Sequence, residues 1–290
     1  MRLVTYQINE SPRIGALTDD KVIDLHAASG DENFPATMID LLQEGQIGLD
    51  RVSSILASGN ASEFAVDVAD ITFLPPVLNP VMVIALGRNY AAHAAEGGAK
   101  PPDYPMLFHK TSGSLLGAGG TIVLPPIDHK IDYEGELAVV MGRTCKQVSP
   151  EEALDYVAGY TVANDVSARG LQRRTSQFSA GKMLDTFGPL GPALVTRDEV
   201  PDPGNLSIRT ILNDQVMQDD TTSNMIFDVP FTISYISQFA TLHPGDVILT
   251  GTPEGVGYPR NPPVFLKDGD TVSVEIESLG TLTNYVKDQA

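Results

Sequence analysis

The segment Ile131-Asp132-Tyr133-Glu134-Gly135-Glu136 runs without interruption into Leu137-Ala138-Val139-Val140-Met141. An apolar, β-branched run closed by Gly142 predicts a strand. Successive side chains of a strand point to opposite faces, so Glu134 and Glu136 share one face. Two carboxylates so close repel each other, and burial adds a desolvation cost. A divalent cation that prefers oxygen ligands removes both penalties at once. The plain alternative is a solvated strand end with its acids in water. A bare Glu-x-Glu does not separate the two, so the rest of the chain must.

With 290 residues, 42% of them apolar, the chain can build one large domain or a large one and a small one. Its formal net charge of −18 has the wrong sign for nucleic-acid binding through phosphates. No apolar run reaches the length of a membrane span. The opening Met1-Arg2-Leu3-Val4-Thr5-Tyr6 lacks a signal-peptide core. Cys145 is the single cysteine, so no internal disulfide forms and an inert thiol is expected. These features predict a cytoplasmic protein.

Residues 1–74 are expected to form a small β-rich N-terminal module, with strands over 2–8, 13–18 and 21–25 and helices over 38–43 and 49–57. Three prolines between Phe73 and Pro80 make a stiff link to a second unit, residues 75–290. There the apolar stretch 81–86 predicts a buried strand leading into Gly87-Arg88-Asn89-Tyr90-Ala91-Ala92-His93-Ala94-Ala95-Glu96. The alanines favour a short helix on which His93 and Glu96, at i and i+3, share a face. A carboxylate beside an imidazole raises its basicity and selects its tautomer, as a water-activating base requires. A surface His–Glu pair satisfies the same pattern. Gly97 and Gly98 then permit the helix to move as a lid.

Further on, Ser149-Pro150-Glu151-Glu152 is a capping box that starts a helix. Asp165 follows a strand over 157–163, a position suited to a ligand carboxylate or to the N-cap of a helix over 168–174. Lys182 is either exposed or a positive charge for a carboxylate or enolate. Asn213-Asp214 predicts a hairpin turn, residues 229–241 a helix, and Gly251-Thr252-Pro253-Glu254-Gly255 a loop able to present N–H groups to an anion. Strands over 267–276 and 281–286 close the chain.

Read together, Gly87-Arg88-Asn89-Tyr90-Ala91-Ala92-His93, Asp132-Tyr133-Glu134-Gly135-Glu136, Asn164-Asp165-Val166-Ser167-Ala168-Arg169, Gly181-Lys182 with Asp185-Thr186-Phe187-Gly188-Pro189, and Thr250-Gly251-Thr252-Pro253 resemble the fumarylacetoacetate hydrolase family in order and spacing. The likeness covers roughly residues 78–286 and is nearest to the short bacterial members and acylpyruvate hydrolases. It implies a β-rich α+β fold, a mixed β-roll, assembled as a homodimer. It implies a divalent metal, Mg²⁺ (or Mn²⁺ or Ca²⁺), held by Glu134, Glu136 and Asp165. His93 and Glu96 would be the water-activating dyad, and Lys182 would stabilise negative charge. Arg88, Tyr90, Arg169, Gln172 and Thr252 would hold a small oxo-acid substrate.

One departure stands out. Larger members carry a fourth carboxylate ligand seven residues before the histidine, where this chain has Leu86. Three carboxylates leave open positions on the ion for waters and a chelating keto acid. The expected activity is hydrolytic carbon–carbon cleavage of a 2,4-dioxo acid of the acylpyruvate or fumarylpyruvate type. Decarboxylation of oxaloacetate is the first alternative, isomerisation of an aromatic ring-cleavage product the second. A metabolite-binding regulator on the same scaffold is the non-enzymatic one, and the clustered charges argue against it.

Overall fold

The apolar run behind the two acids forms the strand Gly135–Met141, buried at every position. Leu137, Val139 and Met141 pack with Ile233 and Ile236 of the helix Val229–Phe239. Ala138 and Val140 face the other way, into a core with Leu41, Leu42 and Val52 from two N-terminal helices. Burial on both faces explains why the run is continuous and not alternating. The computed structural model describes all 290 residues and is a strand-dominated α+β fold, as expected.

Gly135–Met141 pairs with Val157–Asn164 on one side and Val247–Leu249 on the other, inside a 12-stranded sheet. A second sheet of five strands, including Ser207–Leu212 and Thr271–Ile276, packs against the start of this strand. The approach there is close. A Cβ at Gly135 would lie 2.3 Å from the Thr210 hydroxyl, which accounts for glycine between the two glutamates. Strands of residues 1–74 belong to the same large sheet: Arg2 and Leu3 pair with Val195 and Leu194. Leu3 and Ile14 share a core with Val83 and Val140.

Most expected elements form within a few residues of their predicted ends. The hairpin Ser207–Leu212 and Gln215–Thr221 turns through Asn213 and Asp214, both left-handed at φ 48° and 65°. The capping box at Ser149 is present. Three expectations need correction. The acidic strand is not continuous, because Ile131–Asp132 pairs with Ser167–Ala168 in a separate two-stranded sheet. That pairing also keeps residue 168 extended, so the predicted helix shrinks to Arg169–Gln172 and Asp165 does not cap it. The strand expected from 267 starts at Thr271, since Lys267–Asp270 is a turn in which Asp270 accepts the Lys267 N–H at 3.0 Å.

In the N-terminal part, Asp24 ties strand to helix. Its carboxylate accepts the Ala27 N–H at 2.9 Å, the Tyr6 hydroxyl at 2.8 Å and Arg13 Nη1 at 2.6 Å. Burial pushes this carboxyl up, but the Ala27 N–H, Arg13 and Tyr6 outweigh it and hold it below its ordinary range. Asp24→Asn should lower stability by about 1–3 kcal/mol at neutral pH, the range for hydrogen bonds to a charged group. A depressed carboxyl contributes stability above the unfolded-state pKa of about 3.9 and loses it as pH falls through the folded value. Urea midpoints should therefore show a wild-type advantage at pH 7 that narrows below about pH 4. A pH-independent gap would assign the effect to packing.

Candidate active site

Between the two paired stretches, Tyr133 and Glu134 leave both ladders. Glu134 instead donates its N–H to Asn164 Oδ1 at 3.0 Å, and its carbonyl accepts the Asp165 N–H at 2.8 Å. This exchange brings Glu134 and Asp165 side by side. Glu136, two positions on, is met by the loop after Val247–Leu249: the Gly251 N–H donates to its Oε2 at 2.7 Å. Gly251 has φ +92°, and a Cβ there would come within 2.7 Å of the Asn89 Cβ. Only glycine fits both demands. One carboxylate oxygen from each of Glu134, Glu136 and Asp165 lies within 4.8 Å of the others, and all three residues are buried.

Cations are buried with them. Lys182 Nζ donates to Glu134 Oε2 at 2.5 Å and to Asp165 Oδ2 at 2.7 Å. Lys110 Nζ holds the other Asp165 oxygen at 2.7 Å and also bonds the carbonyls of Lys182 and Phe187. Arg169 Nε donates to Asp132 Oδ1 at 2.6 Å, and its Nη2 lies 2.8 Å from Glu134 Oε1 without hydrogen-bond alignment. Burial alone would push Glu134 up, yet Lys182 and Arg169 beside it hold its carboxyl far below the usual range. Glu136 goes the opposite way: burial, then Asp165 and Glu134, push it well above. Lys182 is raised, because Asp165 and Glu134 outweigh its burial, whereas burial dominates at Lys110 and lowers it.

Three clustered carboxylates are a hard-oxygen donor set, and Glu136 has no ion-pair partner within the protein. The residues therefore fit a divalent cation of the Mg²⁺ or Mn²⁺ kind.

Glu134 and Glu136 line a cavity of about 410 Å³, and Asp165 lies buried beside them. The helix Ala91–Glu96 lines the same cavity, and its His93 Nδ1 lies 2.7 Å from Glu96 Oε1. Glu96 Oε2 accepts the Gly255 N–H at 2.9 Å, which docks the helix on the 251–257 loop. The anions met by that loop are thus the protein's own glutamates. Arg88, Arg169, Gln172, Lys182 and Thr252 line the cavity, as does Leu86. Tyr90 does not; its ring is buried, and its hydroxyl has no partner and is pushed up by burial. Tyr90 is the residue before the helix, and it forms an isolated antiparallel bridge with Met225.

The sequence matches the model of the fumarylacetoacetate hydrolase C-terminal domain over residues 82–287. The chain belongs to the fumarylacetoacetate hydrolase family. Among curated members it is 44% identical over 291 residues to the rat (Rattus norvegicus) protein named oxaloacetate tautomerase Fahd2a, mitochondrial, covering 99% of this chain and 91% of that one. Among solved structures it is similar to the fumarylacetoacetate hydrolase of Exiguobacterium antarcticum, at 34% identity and TM-score 0.84 over 100% of both chains. It is also similar to the maleylpyruvate hydrolase of Sphingobium sp. SYK-6, solved with manganese(II) and pyruvate, at 31% identity and TM-score 0.82 over 100% of both chains.

Several residues of this family site escaped the sequence reading. Lys110 ends the strand Met106–Lys110 and looks there like an ordinary exposed lysine, yet it is 3% exposed. Asp132 did carry a signal, since it has the same strand parity as Glu134 and Glu136. Arg173, Phe178 and Tyr258 line the cavity from loops or a helix end, where no periodicity marks them.

The ion pairs make two variants behave differently. Glu136→Gln keeps an acceptor for Gly251 and should fold with a near-native Tm while losing Mn²⁺ affinity by calorimetry. Asp165→Ala strands Lys110 and Lys182 and should cost about 3–5 kcal/mol, as broken buried pairs do. Because burial, Asp165 and Glu134 push the Glu136 carboxyl well above its ordinary range, Mn²⁺ binding should tighten as pH rises. Unchanged Mn²⁺ affinity in Glu136→Gln would remove that residue from the cluster.

Proposed function

We propose that this protein is a divalent-metal-dependent enzyme of 2-oxo acid chemistry that interconverts the enol and keto forms of oxaloacetate. The observation that carries this reading is one cavity lined both by a His–Glu pair and by two glutamates of a three-carboxylate cluster. It is supported by 44% identity to an oxaloacetate tautomerase over 99% of the chain.

A cation on Glu134, Glu136 and Asp165 would supply Lewis-acid charge for the oxygens of an oxo acid. Glu96 accepts from His93 Nδ1, which places the ring proton there and leaves Nε2 as the free base. In the keto-to-enol direction Nε2 takes a proton from C3, the electron pair forms the C2=C3 bond, and the same proton is delivered to the 2-oxygen. The reverse path returns it. No other atom is gained or lost, so a single shuttle suffices. Lys182, which lines the cavity beside Glu134, would set a positive charge near that oxygen.

Hydrolysis of an acylpyruvate is the second reading, favoured by the likeness to maleylpyruvate hydrolase. There His93 would take its proton from water. A homodimer is the proposed assembly. Placement in the cytoplasm rests on the single thiol of Cys145, whereas the rat relative is named as mitochondrial. No helix is long and apolar enough to cross a membrane.

With Mn²⁺ present, the wild type should speed decay of the oxaloacetate enol absorbance. His93→Ala should slow it by roughly two to four orders of magnitude, the usual share of general acid–base catalysis, with Mn²⁺ affinity kept. Cleavage of an acylpyruvate with no effect on the enol would replace the first reading by the second. Carbon dioxide release without enol decay would point to decarboxylation.

A further inference from the structure

The mouth of the cavity carries positive charge that the inner cluster does not use. Arg88, Arg169, Arg173 and Lys182 all line the cavity. Arg169 and Lys182 are spent on Asp132, Glu134 and Asp165. Arg88 and Arg173 pair with no carboxylate, in a chain with 37 acidic residues against 19 Lys and Arg. Acids are the commoner neighbour on such a surface, so two unpaired guanidinium groups at one opening focus the field on an incoming anion.

Arg173 is held ready for one. It follows the helix Arg169–Gln172, donates Nη1 to the Tyr258 hydroxyl at 2.7 Å, and lies 4.1 Å from the centroid of that ring. Tyr258 is anchored in turn, its N–H donating to Asp132 Oδ2 at 2.7 Å. The other oxygen of Asp132 accepts from Arg169 Nε at 2.6 Å. One buried carboxylate thus sets both the inner arginine and the tyrosine that orients the outer one. A guanidinium has five N–H donors, and Arg173 commits only one of its groups to Tyr258, which leaves the rest of the fork open to a carboxylate.

We infer that Arg173, oriented by Tyr258, binds the distal carboxylate of the substrate and selects dicarboxylic over monocarboxylic 2-oxo acids, a role that rests on the 2-oxo acid reading of the inner cluster. The two ends of the substrate then meet different chemistry. The 2-oxo acid end faces the three-carboxylate cluster, and the distal end faces a fixed guanidinium near solvent.

The test uses the full chain loaded with Mn²⁺ and titrated with 2-oxoglutarate and with 2-oxopentanoate. These share one carbon skeleton and differ only in the distal carboxylate. The wild type should prefer 2-oxoglutarate by roughly ten- to a hundredfold, the range of a charge-assisted hydrogen bond. Arg173→Gln should bring the ratio close to one by weakening the diacid alone, and Arg173→Lys should restore part of it. Tyr258→Phe, which keeps the ring and removes the hydroxyl, should fall between. Arg173 is exposed, so Tm and Mn²⁺ affinity should not change. Equal affinity for the two acids in the wild type, no binding of either, or parallel loss in Arg173→Gln overturns the assignment. Binding is read without turnover, so a wild type inactive on oxaloacetate would fell the proposed reaction and leave this result legible.

Discussion

Three carboxylates can lie buried side by side only because two lysines and an arginine are buried with them. Desolvating each charge costs several kcal/mol, and only close pairing with filled hydrogen-bond positions repays it. Asp165 meets that condition between Lys110 and Lys182, and Glu134 between Lys182 and Arg169. Asp132 meets it with Arg169 and the Tyr258 N–H. Counting Asp132, Glu134, Glu136 and Asp165 against Lys110, Arg169 and Lys182, four acids less three cations leaves one negative charge over. The remainder falls on Glu136, whose only hydrogen bond is a backbone N–H. A site that neutralises all but one of its acids is poised for a cation without needing one to fold.

The fold serves that arrangement through backbone departures from regular pairing. Asp165 and Glu134 approach because the ladder between Gly135–Met141 and Val157–Asn164 ends in a side-chain substitute, Asn164 Oδ1. The two-stranded sheet beyond turns Asp132 and Arg169 toward each other. Gly251 closes the third side, and its N–H is available because the strand before it stops at Leu249. The large sheet, buried on both faces by helices, supplies the rigidity such distances require.

The dyad is built to a different standard. His93 and Glu96 sit on a helix of six residues, tied to the rest by Glu96 and the Gly255 N–H and followed by Gly97 and Gly98. Few contacts hold it, the low local stability that an opening and closing element would need. Basic groups follow the same division. Those near the cluster are paired with its acids, and Arg88 and Arg173 pair with no carboxylate.

The sequence alone determined the strands and helices whose hydrophobic pattern is strong, and the residues whose neighbours in the chain are also neighbours in the site. Glu134 and Glu136 share a face because strand parity is local. His93 and Glu96 meet because helical spacing is local. The resemblance of scattered motifs then placed Asp165 and Lys182 beside them, which no periodicity could. Tertiary structure decided the rest. Lys110 is an unremarkable strand end until Asp165, 55 positions away, arrives over it. Tyr90 sits in a motif of site residues, yet it is buried and does not line the cavity. Arg173 and Tyr258 are separated by 85 positions and meet where Asp132 accepts the Tyr258 N–H. Local spacing fixes which face a side chain takes. What it meets there is set by chain segments that arrive from far along the sequence, and long-range pairing leaves no mark in a window of a dozen residues.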